Sequence, residues 1–442
     1  MKPRTLFSAG GLVLLVLLVI GYLLAPRPES FQPEGESLHG TQPIHFQFNR
    51  AMDPDSVSSR LVIRPAQDGE LSWNEAGDRF TFRPRQPWPS GSQVSVEIQA
   101  GARSHLHLPL LRPALHQLQV SPYLLAYLWP ADEDSDLYLL NPENGESRRL
   151  IAHPNDIQDY VVHPDGLTLY FSAISTEGEG RIYAYDRLQD TYNSLINCGN
   201  GACQGLGISP DGNYLLYEHL PAGPSDSPGV RLYSFTDGQS RLVGDPEHHL
   251  ENPLWSIPDW FSVYDRTAEA FLLFNNQTGV QLSQANQTGG SGTWSPQGPS
   301  FVMTEIYNIA DTLATRHLLR YHLGEDALMD LTVSNTLEDA NPVYAPSGAY
   351  LAFGRKSLDP AQWTPGRQLW IREASGGEGY PLTGDVDYNH TAFTWHPSEL
   401  ELVYVRYNQA ELAEPPEIWI TARDGRERYR LLINGHSPQW IP

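Results

Sequence analysis

The sequence predicts an all-β protein with three parts: a single N-terminal transmembrane helix, a small β-sandwich, and a seven-bladed β-propeller closed by the C-terminal strand. Three observations predict it. Residues 6–25 are apolar and uncharged, residues 40–120 alternate apolar and polar side chains, and a proline-centred unit recurs through the rest of the 442-residue chain. The predicted boundaries are 1–28 for the cytoplasmic N-terminus and anchor, 29–120 for the sandwich and 121–442 for the propeller.

The anchor is "LFSAGGLVLLVLLVIGYLLA", Leu6 to Ala25. As a helix it would span about 30 Å, enough for a bilayer core. Lys2 and Arg4 precede it, and Glu29, Glu34 and Glu36 follow. The positive-inside rule then leaves the N-terminus in the cytoplasm and the bulk of the chain outside. A signal peptide cut near "LLAP" is the alternative and would give a secreted protein. The apolar run is longer than the usual ~7–15-residue signal core, which favours a retained anchor. Cys198 and Cys203, in "NCGNGAC", fit an exported chain. With a Gly-rich loop between them they read as one small disulfide, and no further ligands lie near enough in sequence for a metal site.

The net charge of −23 and the scarcity of lysine argue against a nucleic-acid partner, because no basic stripe is available to neutralise phosphates. They also argue against charge-driven adhesion to anionic lipid. Gly (37) and Pro (36) are abundant, as a fold with many turns requires.

In the sandwich region "IHFQF", "LVIRP", "RFTFRP" and "QVSVEIQ" each place apolar residues at every second position, so each strand buries one face. "FQFNRAMDPDSV" resembles the opening of bacterial Ig-like domains of the SbsA type, and "LVIRP", Trp73, "FTFRP" and "SGSQVSVEIQAGARS" follow in that family's order. The resemblance covers about 80 residues and implies a spacer or surface module without catalysis. Met52 is expected to fill the sandwich core, and Asp53-Pro54 to start a turn.

From Ser121 a proline recurs at Pro164, Pro210, Pro258, Pro296, Pro346, Pro397 and Pro442, at intervals of about 38 to 51 residues. After each of the first six comes an apolar strand, such as "YLLYEHL" or "ELVYVR", then a second, such as "RLYSFT" or "EIWITA", then a more polar segment. Four short strands per unit define a propeller blade. In "SPDG" the proline fixes φ, the aspartate caps its own turn and the glycine takes positive φ. Trp255, Trp294, Tyr344, Trp395 and Trp440 precede these prolines and are expected to wedge between neighbouring blades. "GISPDGNYLLYEHL … RLYSF" and "AFTWHPSELELVYVRY … EIWIT" resemble TolB-type (WD40-like) propeller repeats over about 320 residues. That resemblance implies protein or peptide binding, and the same repeats build the propeller half of prolyl-peptidase-like enzymes. The first unit, Tyr123 to Leu150, lacks an opening strand, while the chain ends on a spare one, "HSPQWIP". Pairing the two would close the ring and hide its edges.

Little chemistry is encoded. There is no Gly-x-Ser-x-Gly elbow, P-loop or dinucleotide fingerprint, and Ser209 in "GISPDG" reads as a turn residue. With the ring complete at its C-terminal strand, no hydrolase domain is expected after the propeller. Asp132, Asp134 and Asp136 mimic the start of a Ca²⁺ loop but lack its glycine and distal glutamate, so they read as a solvated hairpin. His105 and His107 would share a strand face and His248–His249 form a pair, yet each lacks a third zinc ligand in sequence reach. Asn276, Asn286 and Asn389 lie in glycosylation sequons.

No catalytic residue, cofactor or firm metal site is therefore expected. The expected role is a membrane-anchored scaffold presenting a propeller to an envelope protein or glycan. An envelope hydrolase with an axial active site, and a purely structural surface protein, are the alternatives. Oligomeric state and ligand identity are not encoded in any pattern.

Overall fold

The computed structural model describes residues 24–33, 37–223, 228–255, 259–310, 313–325 and 327–442. All but the last two residues of the expected anchor, Leu6–Ala25, lie outside this set. No helix among the described residues is long and apolar enough to cross a membrane. The chain forms two compact units that divide between Tyr123 and Leu124, with Asp165–Leu167 and Pro442 grouped with the first.

The first unit is a sandwich of two four-stranded sheets. One runs Pro28–Gln32, Ile44–Phe48, Arg79–Pro84, Gly69–Trp73; the other runs Ser37–Leu38, Ala114–Val120, Gln93–Ile98, Leu61–Arg64. The alternation read from the sequence places Ile44, Phe46, Phe48, Phe80, Phe82, Val94, Val96 and Ile98 inside. Phe46 and Phe80 stack at 5.1 Å, and buried Trp88 donates its indole N–H to Gln42 O at 2.9 Å. Met52 fills this core. Asp53 caps a five-residue helix, Pro54–Ser58, by accepting from the Asp55 and Ser56 amides, where the sequence suggested only a turn.

The second unit is built of antiparallel sheets, numbered I to VII here. Sheet I joins Ser147–Ile151, Asp136–Leu140, Leu124–Trp129 and His436–Ile441, in that order. Sheets II and III are the halves of one seven-stranded sheet from Ile157–Val162 to Gln239–Leu242, and they share the long strand Thr191–Ile208. That strand pairs first with Glu179–Asp186 and then with Tyr214–Pro221. Sheets IV, V, VI and VII take their four strands from 250–285, 292–330, 337–381 and 388–433 in chain order.

Successive sheets pack face to face over apolar clusters. Tyr160, Phe171 and Ile441 lie between I and II, Leu216 and Phe261 between III and IV, and Leu125, Val403 and Ile418 between VII and I. The "SPDG" turn behaves as its chemistry requires. Ser209 Oγ donates to Asp211 at 2.6 Å, the Tyr214 amide donates to Ser209 Oγ at 2.9 Å, and Gly212 has φ +73°. A Cβ at Gly212 would collide with the ring of His163.

One backbone device recurs in the opening strands. Sheets III, IV, VI and VII each carry a register shift there, as does the strand His436–Ile441. The bulged residues Gly205, Asn252, Asn341, Ala392 and Ser437 all have φ between +50° and +61° or close to it. At two of these bulges the strand meets sheet II. Asp159 accepts from the Leu206 amide at 2.8 Å, and Gln439 Nε2 donates to Tyr160 O at 2.8 Å.

Candidate binding face

The expected wedge residues lie at sheet interfaces. Trp255 of sheet IV donates to Gly207 O of sheet III at 2.9 Å, and Trp395 of sheet VII donates to Val343 O of sheet VI at 3.2 Å. Trp294 of sheet V reaches Ser262 Oγ of sheet IV at 3.2 Å. Tyr344 is buried, and its amide donates to Thr293 Oγ1 of sheet V. Trp440 packs against sheet VII residues and meets His396 edge-on at 4.5 Å, with its indole nitrogen unpartnered. The Cys198 and Cys203 sulfurs lie at bonding distance, 2.13 Å, within the shared strand of sheets II and III.

The weak metal candidates are not assembled. Asp132 accepts from Asn434 at 2.6 Å, Asp136 accepts from Arg149 and the His153 amide, and Asp134 is exposed. No group of three or more His, Cys, Asp or Glu able to hold a metal occurs among the described residues. His105 and His107 do not share a strand face: they sit in a turn in which His107 has φ +61°. Of the sequons, Asn286 is buried and donates to Thr304 O, which keeps it from any modifying enzyme in the folded chain.

His248 pairs with the buried carboxylate of Asp265 at 2.5 Å, and that hydrogen bond raises the imidazole above its ordinary range. The pair lines a cavity of about 760 Å³ between sheets III and IV with Arg241, Asn275, Asn276 and Ser283. Among the described residues no hydroxyl or thiol hydrogen-bonds His248.

Large apolar side chains are exposed at both ends of the unit: at one they are spread over sheets II and IV to VII, as with Leu188, Val280, Met329, Tyr380 and Leu400, and at the other they are confined to adjacent sheets, where second strands turn into third strands and each sheet hands over to the next. Large apolar side chains stand exposed there on sheets V, VI, VII and I: Tyr307, Val333, Trp363, Val386, Leu412 and Ile433, with Trp129 beside them. Trp363 is 54% and Leu412 77% exposed. Among the described residues, the same end of sheets II, III and IV carries no exposed large apolar side chain. The four sheets are tied together at this end. Thr315 Oγ1 of V donates to Leu337 O of VI at 3.0 Å, the Arg367 amide of VI donates to Asn389 of VII at 2.9 Å, and Trp129 of I donates to Ile433 O of VII at 3.3 Å.

Beneath these side chains lies a framework of ion pairs. Arg355 grips the buried carboxylate of Asp339 through two bonds of 2.7 Å and lies over the Trp370 ring at 4.8 Å. Arg406 is held between the rings of Tyr388 (4.0 Å) and Trp419 (3.9 Å) while donating to Glu417 at 2.7 Å and Asp385 at 3.1 Å. Arg428 also reaches Asp385, and Arg430 reaches Glu417. His390, whose Nε2 lies 3.9 Å away, and then Arg428 and Arg406 hold Asp385 below the usual carboxylate range. Burial opposes ionisation of Glu417, but hydrogen bonds from Arg430, Arg406 and Trp419 outweigh it and hold its carboxyl low. Both groups are thus anionic at neutral pH and poor proton donors, so the cluster suits a rigid frame better than acid–base chemistry.

The sequence reading missed this framework. The available signal was the arginine at the same place in "YLAFGR" and "ELVYVR", where the matching strands of sheets IV and V have Asp265 and Glu305.

A family model for the bacterial Ig-like domain matches residues 25–111. Among curated proteins none matches this chain in sequence. TolB from Acinetobacter baumannii is 14% identical over 87% of this chain and 83% of its own, with a TM-score of 0.43. The β-propeller domain of the Trilobed protease from Pyrococcus furiosus is 10% identical over 78% of this chain and 93% of its own, with a TM-score of 0.49. A structure from a study of two prolyl endopeptidases is 11% identical over 69% of this chain and 47% of its own, with a TM-score of 0.51. At 11% identity this last likeness is one of fold alone.

Proposed function

We propose that this chain is a membrane-anchored, extracytoplasmic binding protein. In this reading residues 6–25 hold it in the membrane with the N-terminus in the cytoplasm, and the Ig-like domain, of the SbsA type, serves as a spacer. Sheets I–VII are the blades of a seven-bladed propeller, and His436–Ile441 closes the ring as the opening strand of sheet I. The pairing of that strand with Leu124–Trp129 and the apolar cluster between sheets VII and I support closure. The propeller binds and does not catalyse; its partner is an envelope protein.

One observation carries the proposal: exposed aromatic and aliphatic side chains gather at one end of four adjacent sheets, over a framework of neutralised charges. Aromatic and large aliphatic anchors on a rigid support are what protein interfaces use at their centres. A protein partner is favoured over a glycan because Val333, Val386, Leu412 and Ile433 offer aliphatic surface rather than hydrogen bonds. A photo-crosslinking residue at position 363 or 412 in living cells should yield a discrete protein adduct. The same residue at Leu400, exposed at the opposite end of sheet VII, should not. Equal labelling from both ends, or none from either, would remove the binding-face reading.

A further inference from the structure

We infer that the groove between sheets V and VI, at the end opposite the binding face, is a site for an oxyanion, a carboxylate or a phosphate, received by Arg320. The groove encloses about 710 Å³, within the range of small-ligand sites, and is lined by the turns Ser295–Ser300 and Gly348–Tyr350 and by Arg320, His322, Glu373 and Ser375.

Arg320 projects from the strand Leu313–His322 and donates Nη2 to Ala374 O at 2.6 Å, across the sheet boundary. Its Nε is buried without a partner, and no carboxylate pairs with it among the described residues. Arg372, on the facing strand Gln368–Glu373, repeats the pattern: Nη1 donates to Leu331 O at 2.6 Å and Nε is unpartnered. Arg355 lies near Arg372 and is paired with Asp339, which also accepts from Thr332 Oγ1. Burial, then the neighbouring Arg320 and Arg355, push the Arg372 guanidinium down from its ordinary range, with Asp339 and Tyr344 acting in the opposite direction.

In a chain of net charge −23, two partly buried guanidiniums served only by backbone carbonyls are unusual, because acidic partners are plentiful elsewhere. Arg355, Arg367 and Arg406, half-buried in the same sheets and in sheet VII, each have a carboxylate, while Arg423 lies over the Tyr350 ring. With Nε buried and Nη2 on Ala374 O, a bound oxyanion would meet Arg320 at Nη1 through a charge-assisted bond. Tyr344 and Tyr350 line the same groove and would flank the non-ionic part of a ligand. Glu373, on the exposed rim, would disfavour ligands carrying several negative charges.

Calorimetric titration of the detergent-solubilised chain at low ionic strength tests this, with inorganic phosphate and N-acetylglycine as separate probes. At least one should bind the wild type with saturation, and Arg320→Gln should weaken that binding by about tenfold or more. Arg266→Gln, an exposed arginine paired to Glu251, should leave it unchanged. Saturation by phosphate alone identifies a phosphate site, and saturation by N-acetylglycine alone a carboxylate site. Absence of binding by both probes up to about 50 mM, or equal affinity in Arg320→Gln with its melting temperature retained, overturns the inference. Should Arg320→Gln fail to fold, Arg320→Lys serves instead: it keeps the charge but loses the planar fork, and an affinity equal to wild type would overturn the assignment to Arg320.

Discussion

Deleting His436–Pro442 removes one strand from sheet I and tests ring closure. The strand pairs with Leu124–Trp129 at four positions, His436, Gln439, Trp440 and Ile441. Tyr160 Oη donates to Ser437 O at 2.6 Å, and Gln439 donates to Tyr160 O at 2.8 Å, so the strand also joins sheet I to sheet II. Ile441 is 1% exposed. Burying it contributes about 2 kcal/mol, partly buried Trp440 a similar amount, and the ladder and cross-sheet hydrogen bonds about 0.5–1 kcal/mol each. The loss is therefore on the order of 6 kcal/mol, comparable with the roughly 5–15 kcal/mol of an ordinary domain. Deletion should also expose the edge of Leu124–Trp129 and promote association. Urea unfolding of wild type and deletion, followed by far-ultraviolet circular dichroism and tryptophan fluorescence, measures this. A large fall in midpoint, with broadened or probe-dependent transitions, is expected. A deletion with unchanged midpoint and slope would refute closure by this strand. Ile441→Ala gives a graded version, with an expected loss of about 2–4 kcal/mol.

His396, packed against Trp440, has its imidazole pushed down to about 4 by burial. The neutral form is favoured in the folded state, so its stabilising contribution is complete above pH 6.5 and lost as pH falls through about 4. Between pH 7.5 and 5 the linkage would be about 2 kcal/mol, and halving it for the partial exposure of the ring leaves about 1 kcal/mol. His396→Gln should flatten the acid limb of a stability-versus-pH curve by that amount, and an unchanged slope would show that the ring is not desolvated. Asp339→Asn leaves the buried Arg355 guanidinium without its counter-charge and should cost about 3–5 kcal/mol in chemical denaturation, whereas Asp424→Asn, at an exposed pair with Arg426, should cost less than about 1 kcal/mol.

Much of the fold was legible in the sequence because its devices are local. Period-two strands such as "IHFQF" and turns such as "SPDG" declare themselves within a few residues. Even the pairing of "HSPQWIP" with the first sheet could be read from a vacancy in the repeat. The bulges could not. Asn252, Asn341, Ala392 and Ser437 share a backbone conformation, not a residue type. The apolar end of sheets V, VI, VII and I was hidden for a related reason. Trp363 and Leu412 lie in loops of unlike sequence, and only the packing of adjacent sheets brings those loops to one end. The ion-pair framework joins residues such as Arg406 and Asp385 from different strands, and no local spacing encodes such a meeting. The His105–His107 pair failed in the opposite direction: a strand-like spacing was overridden by a left-handed turn at His107.

The most direct measurement is the affinity of the chain for the protein crosslinked from position 363, determined for wild type, Trp363→Ala/Leu412→Ala and Leu400→Ala. If the loop end of sheets V, VI, VII and I is the binding face, the double variant should weaken binding by about thirtyfold or more, and Leu400→Ala by less than about twofold. A double variant that binds as tightly as wild type, with its fold intact by circular dichroism, would contradict that assignment.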